Sequence, residues 1–247
     1  MGGKIDCYID LASFYSYLAF NELLRNYETL KAYGVEVEFH PVLLGGINAG
    51  SGNKPPWTLP AKAMYGTYDA RRSCDRAGHP EIGFPEDLMS MSHTILPLRA
   101  LHYIKRHYPR DVFETAFYYF FDRFWTPPHQ NLSQQPVFTQ ALAEVPSGFK
   151  GPGTGDASRP VFSREEVAKI LQAASTQEAK DLLKKTTQQA LDQGAFGAPW
   201  LWVTNAEGKG EPFFGSDRFH FIYNFLGLPY QDVALLPPSG GKASSKL

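Results

Sequence analysis

The amino-acid sequence predicts an α/β fold: a β-α-β half at the N-terminus and a β-β-α half at the C-terminus, separated by a large all-helical insertion. Three observations predict it. Residues 4–11 and 35–40 alternate apolar and polar side chains with the period of two that a half-buried strand needs, and a helical stretch joins them. From Pro60 to Gly194 helix signals dominate. After Gly194 two short apolar runs flank a turn and a last helix follows.

Taken in order, Ile5, Cys7, Ile9 and Leu11 form one face of a first strand. Ser13 then caps a helix over residues 13–32, with Leu23, Leu24, Tyr27 and Leu30 on its apolar side. Val35, Val37 and Phe39 alternate with Glu36, Glu38 and His40 in a second strand, at a spacing that suits a right-handed crossover with parallel strands. Gly45-Gly46, Gly50 to Gly52 and Pro55-Pro56 read as a loop. The stretch Asp111–Trp125 is dense in aromatic residues, as a buried helix is. Residues 146–160, rich in Gly and Pro, read as a surface loop. Ser163 with Glu166, and Ser175 with Glu178, match capping boxes, and Gly194 suits the end of the second helix. Trp200 to Thr204 and Pro212 to Phe214 make a hairpin, and Ser216 or Asp217 caps the final helix through Leu226. The expected divisions are 1–59, the inserted helices 60–194, 195–230, and a tail 231–247.

The chain has 247 residues, 43% hydrophobic and 20% charged, enough for a substantial core. A net charge of −1 supplies no field to draw nucleic acid or an anionic membrane surface. No apolar run approaches the ~20 residues of a helical membrane span. Two cysteines, Cys7 and Cys74, cannot build a framework of several disulfides, and Cys7 reads as a small core hydrophobe. The N-terminus lacks the basic stretch and apolar core of a secretory signal. Ser245-Lys246-Leu247 matches the address read by the peroxisomal import receptor, behind a Pro/Gly/Ser-rich run. The expected location is the peroxisome, with cytoplasm or mitochondrion as alternatives.

Ser13 stands where the first strand runs into a helix, and Ser16 follows three residues on. Two cysteines with that spacing would run disulfide exchange. The serines leave two readings for Ser13: a helix cap worth ~1 kcal/mol, or a hydroxyl that holds another molecule's thiol. Ser216, Asp217 and Arg218 read by themselves as a cap with a charged first turn, and Lys62 as a solvated charge. His93, His102 and His107 lack zinc-protease spacing, and the chain has no G-x-x-x-x-G-K-S/T phosphate loop and no G-x-S-x-G elbow.

Four runs point one way: Ser13-Phe14-Tyr15-Ser16-Tyr17-Leu18, Ser51-Gly52-Asn53-Lys54-Pro55-Pro56, Gly194-Ala195-Phe196-Gly197-Ala198-Pro199 and Phe214-Gly215-Ser216-Asp217-Arg218. Together they resemble the kappa-class glutathione S-transferases. With the 2-hydroxychromene-2-carboxylate isomerases, these belong to the DsbA-like branch of thioredoxin-like proteins that carry an inserted helical domain. The resemblance covers residues 4–228.

It implies a thioredoxin-like fold, glutathione as co-substrate, no metal, and a homodimer. It makes Ser13 the catalytic residue, donating to the glutathione sulfur, with Phe14 and Tyr15 beside it. Asn53 and Lys62 would hold the tripeptide, Lys62 at the glycyl carboxylate. A cis Pro199 would present the N–H and C=O of Ala198 to the cysteine backbone of glutathione. Ser216 and Asp217 would take the γ-glutamyl end, with Arg218 ordering that corner. The family carries proline where this chain has Phe14, which keeps an N–H at the helix start and is bulkier at the mouth of the site. The implied activity is conjugation of glutathione to small electrophiles, with hydroperoxide reduction as a possible addition. The alternatives are a glutathione-dependent 2-hydroxychromene-2-carboxylate-type isomerase and a non-catalytic peroxisomal binding protein. A disulfide oxidoreductase lacks its cysteine at position 13.

Overall fold

Strand β1 (Gly3–Ile9) forms as its alternation requires: Ile5, Cys7 and Ile9 share one face and are fully buried. The computed structural model describes residues 2–231 and 233. Leu11 is also fully buried, but past the end of the strand. Helix α1 (Phe14–Arg25) begins on Ser13, whose hydroxyl accepts from the Ser16 amide at 3.1 Å. The single helix expected over 13–32 is two, because α1 stops and α2 (Tyr27–Ala32) follows. Asn26 lies between them. Its side-chain amide donates to the Glu22 carbonyl and to the Glu22 carboxylate, both at 2.9 Å, beside its own backbone N–H, which keeps the helical bond to Glu22 at 3.2 Å, while its backbone leaves the helical region at φ −95°, ψ 4°. Strand β2 (Val35–Pro41) returns parallel to β1.

The glycine-rich stretch read as a loop contains helix α3 (Leu44–Ser51), which ends on Gly52 at φ +75°. After a 3₁₀ turn at Pro56–Thr58 come α4 (Pro60–Ala77), α5 (Leu88–Met91), α6 (Ile95–His107), α7 (Arg110–Trp125) and α8 (Gln135–Ala143). The aromatic residues of α7 are core: Phe117 and Phe121 stack at 5.0 Å, and Phe121 stacks at 5.0 Å on Tyr17 of α1.

Residues 146–160, expected to be loop, hold a short hairpin, β3 (Pro146–Ser147) and β4 (Asp156–Pro160). All five residues of β4 are exposed, so no apolar alternation announces it. Helix α9 (Arg164–Ala174) starts on the expected capping box of Ser163 and Glu166. Helix α10 (Gln177–Asp192) is capped one residue later than expected, by Thr176. The Ser175 hydroxyl instead donates back to the Leu171 carbonyl at 3.1 Å. Gly194, at φ +91°, follows α10. Strands β5 (Trp200–Asn205) and β6 (Gly210–Phe214) form the expected hairpin. The last helix, α11 (Phe219–Phe225), starts later than expected. Its cap position is Arg218, with no side-chain cap, so Ser216 and Asp217 lie in the turn that Gly215 opens at φ +95°.

The sheet order is β2-β1-β5-β6, with β5 antiparallel to β1. One face carries Ile5, Cys7, Ile9, Val37 and Leu201 into the main core with α1 and α7. The other carries Tyr8 and Trp200, covered by Ile47 of α3 and Ala190 of α10. The glycines of α3 allow that cover. A Cβ on Gly50 would stand 2.5 Å from Leu191 Cδ1, and one on Gly46 3.1 Å from Thr187 Cγ2. Strand β2 is an edge, and basic side chains satisfy its outward carbonyls. Arg110 donates to Val37 at 2.5 Å, Lys105 to Phe39 at 2.6 Å and His102 to Pro41 at 2.8 Å. Ser245-Lys246-Leu247 lies outside the described residues.

Candidate functional site

The turn between β1 and α1 is fixed on several sides. Asp10, 1% exposed, accepts the Ser13 amide on its carbonyl at 3.0 Å. Its carboxylate accepts the Ala12 amide at 3.0 Å, the Leu44 amide at the start of α3 at 2.7 Å, and the Thr94 hydroxyl before α6 at 2.7 Å. Burial pushes the Asp10 carboxyl up to about 6 and outweighs the three donors that favour its charge. Trp125 Nε1–H donates to the Leu11 carbonyl at 2.8 Å. The sequence reading missed Asp10, although an aspartate ending an apolar strand three residues before a capping serine is a visible signal.

The Ser13 hydroxyl donates to the Ala198 carbonyl at 2.8 Å across a sequence distance of 185 residues. The Ala198–Pro199 peptide is cis, as the resemblance implied. Among the described residues the amides of Phe14, Tyr15 and Ala198 have no hydrogen-bond partner. The start of α1 therefore offers two free N–H groups and the positive end of a twelve-residue helix beside a hydroxyl. Asn53 comes to the same place: its side-chain amide donates to the Phe196 carbonyl at 2.6 Å and ties the loop that carries Ala198.

Tyr15 donates its hydroxyl to Asp69 of α4 at 2.7 Å. Burial first, then Asp69, then Asp217 nearby raise the Tyr15 phenol, so it stays a neutral donor. Asp69 is 54 residues from Tyr15 in sequence and carried no motif. Ser216 and Asp217 line a half-open cavity of about 680 Å³ together with Asp69, Arg72, Arg76 and Tyr223. Asp217 is paired with Arg218 at 2.5 Å. Lys62 is exposed in the first turn of α4 and has no hydrogen-bond or ion-pair partner among the described residues. Phe14 corrects one expectation. Its ring is 5% exposed and packs against Phe84, Trp125 and Tyr15, so it does not crowd the mouth.

Comparison with known proteins places the chain among thioredoxin-like relatives. A model of the DSBA-like thioredoxin domain covers residues 4–145. The chain is 28% identical over 238 residues to "Glutathione S-transferase kappa 1" of Homo sapiens, covering 95% of each. It is also 28% identical to the Caenorhabditis elegans protein of that name, covering 92% of each. A 2-hydroxychromene-2-carboxylate isomerase structure superposes with a TM-score of 0.68 at 17% identity, over 91% of this chain and 94% of that one. With more than half its length matched by the family model, this chain belongs to the DSBA-like thioredoxin domain family.

Proposed function

We propose that this protein is a glutathione S-transferase that conjugates the thiol of glutathione to small electrophiles. One observation carries the reading: the Ser13 hydroxyl and the free amides of Phe14 and Tyr15 converge opposite the Ala198–Pro199 bend. The kappa-class relatives support it at the family level. Ser13 O–H can turn from the Ala198 carbonyl to the glutathione sulfur while that carbonyl accepts the cysteine N–H of glutathione, so no hydrogen bond is lost. The Ala198 N–H then meets a glutathione carbonyl, as an added strand would. Asn53, Lys62, Ser216, Asp217 and Arg218 are the proposed contacts to the rest of the tripeptide.

In the reaction the thiol proton leaves to solvent, the sulfur forms a bond to carbon, and the leaving group departs with its electron pair. A thiol pKa lowered by ~2 units corresponds to ~2.7 kcal/mol and raises the thiolate fraction at neutral pH about 25-fold. The same change costs about 8-fold in intrinsic nucleophilicity. The net gain is a few-fold, so placing the second substrate supplies the larger share of the acceleration.

Calorimetry with glutathione and thiolate absorbance against pH test this on the parent and Ser13→Ala. Both are expected to bind glutathione, with a raised thiol pKa and slowed conjugation in the variant. Equal thiol ionisation in the two would remove Ser13 from the mechanism. Stoichiometric loss of glutathione separates conjugation from isomerisation, which regenerates it. Peroxisomal import through Ser245-Lys246-Leu247 is part of the proposal, and a fluorescent fusion lacking those three residues is expected to stay in the cytosol.

A further inference from the structure

Helices α1 and α4 run side by side in the same direction. Tyr15 at the start of α1 donates to Asp69 at 2.7 Å, and Arg25 at its end donates to the Ala77 carbonyl at the end of α4. The half-open cavity of about 680 Å³ follows these two helices, with α11 as a further wall. Its near end, at Asp69, Ser216 and Asp217, adjoins the site already described. Its far end reaches Arg76, seven residues and about 10 Å further along α4.

That far end holds positive charge that the fold leaves unanswered. On the neighbouring face of α4, Arg71 has its acid one turn on, Asp75 at 3.3 Å. Arg72 and Arg76 line the cavity and have no hydrogen-bond or ion-pair partner among the described residues. The carboxylates that share the cavity are engaged elsewhere: Asp69 by Tyr15, Asp217 by Arg218, and Glu22 by Arg25 at 3.6 Å and Asn26 at 2.9 Å. Like charges at i and i+4 of a helix repel. Two guanidinium groups one turn apart suit a ligand with neighbouring anionic oxygens, each taken in a charge-assisted hydrogen bond.

The cavity is far larger than a bare anion fills, and its other walls are aromatic. Tyr33, Tyr223 and Tyr230 line it, the last two with centroids 6.4 Å apart. The Tyr223 hydroxyl is buried without a hydrogen-bond partner among the described residues. Burial, then the Glu22 carboxylate, raise its phenol, so it stays a protonated donor.

We propose that this cavity is a second binding site, beyond the glutathione contacts, for a nucleoside diphosphate: Arg72 and Arg76 take the phosphates, the tyrosines hold the flat base, and the Tyr223 hydroxyl donates to the nucleoside.

The test is calorimetric titration of the full chain with ADP, inorganic pyrophosphate and adenosine, each with and without saturating glutathione. ADP is expected to bind at least about 10-fold more tightly than pyrophosphate or adenosine, and equally well with glutathione present. The double variant Arg72→Gln/Arg76→Gln is expected to weaken ADP about 10-fold or more, through lost hydrogen bonds to a charged group. Arg71→Gln, on the same helix but outside the cavity, is expected to change it less than 2-fold and controls for the folding of α4. Tyr223→Phe is expected to weaken ADP several-fold and to leave pyrophosphate unchanged. Absence of ADP binding to the parent overturns the site, as does an equal loss in Arg71→Gln and the double variant. Pyrophosphate binding as tightly as ADP overturns the nucleoside assignment. Competition between ADP and glutathione overturns the claim of a separate site.

Discussion

At the scale of single residues, two buried titratable groups set opposite responses to pH. Asp10 has its carboxyl raised from 3.8 to about 6 by burial. The folded chain therefore holds a proton that the unfolded chain has released, and the stability this gives is full below about 3.8 and lost as pH rises through about 6. His102, buried with its Nε2 on the Pro41 carbonyl, is lowered from 6.5 to about 4, again by burial first. Its contribution is full above 6.5 and lost as pH falls through about 4. Between pH 4 and 6 the two slopes oppose each other. Asp10→Asn is expected to expose the His102 slope, so that urea-melt stability climbs with pH by ~2–3 kcal/mol across pH 4–6.5. Adding His102→Gln should make it shallower, with His40, also lowered by burial, keeping a slope of the same sign, and a flat profile in Asp10→Asn alone would contradict the assignment.

At the scale of elements, edge strand β2 has no strand neighbour on its outer side, and three side chains from α6 and α7 stand in for one. The basic heads of Lys105 and Arg110 reach the Phe39 and Val37 carbonyls, and His102 reaches Pro41. Lys105 also pairs with Glu38 at 2.5 Å, and burial lowers its ammonium pKa. Replacing Lys105 with Met keeps much of the apolar stem but leaves the Phe39 carbonyl without that partner and Glu38 without its cation. The expected loss is ~1–3 kcal/mol in chemical denaturation, with an unchanged m-value. A loss below ~0.5 kcal/mol would mean that water satisfies the edge as well as lysine does.

At the scale of the whole molecule, β1 is flanked by β2 from the next thirty-odd residues and by β5 from nearly 200 residues away. Its amides and carbonyls are paired on both sides and one of its faces lies in the main core. Native-state hydrogen exchange is expected to show Ile5, Cys7 and Ile9 exchanging only by global unfolding, while the β6 amides and the exposed β4 hairpin open locally. Faster exchange in β1 than in α7 would place the most stable unit in the inserted helices instead. The same architecture builds the site. The Asp10–Ser13 turn is held by Thr94, Leu44 and Trp125, and it meets Ala198 only after β5 has docked.

Local chemistry was legible in the sequence because it is written within a few residues. The strand alternation of Ile5, Cys7 and Ile9, the Ser13 cap, the Ser163–Glu166 box and the hairpin after Gly194 all depend on side chains one to four positions apart. So did the four runs that resemble a family. Asn26 breaking a helix in two and α3 tolerating glycine were not legible. The first depends on the non-helical backbone that Asn26 adopts between the two helices, and the second on Gly46 and Gly50 facing α10 more than 130 positions away. Asp69 under Tyr15, the cap on the β2 edge and the inward turn of the Phe14 ring are likewise tertiary. A single chain records which residues are apolar or polar, but only packing decides which of them meet, and the chemistry around Ser13 comes from meetings across 34 to 185 positions.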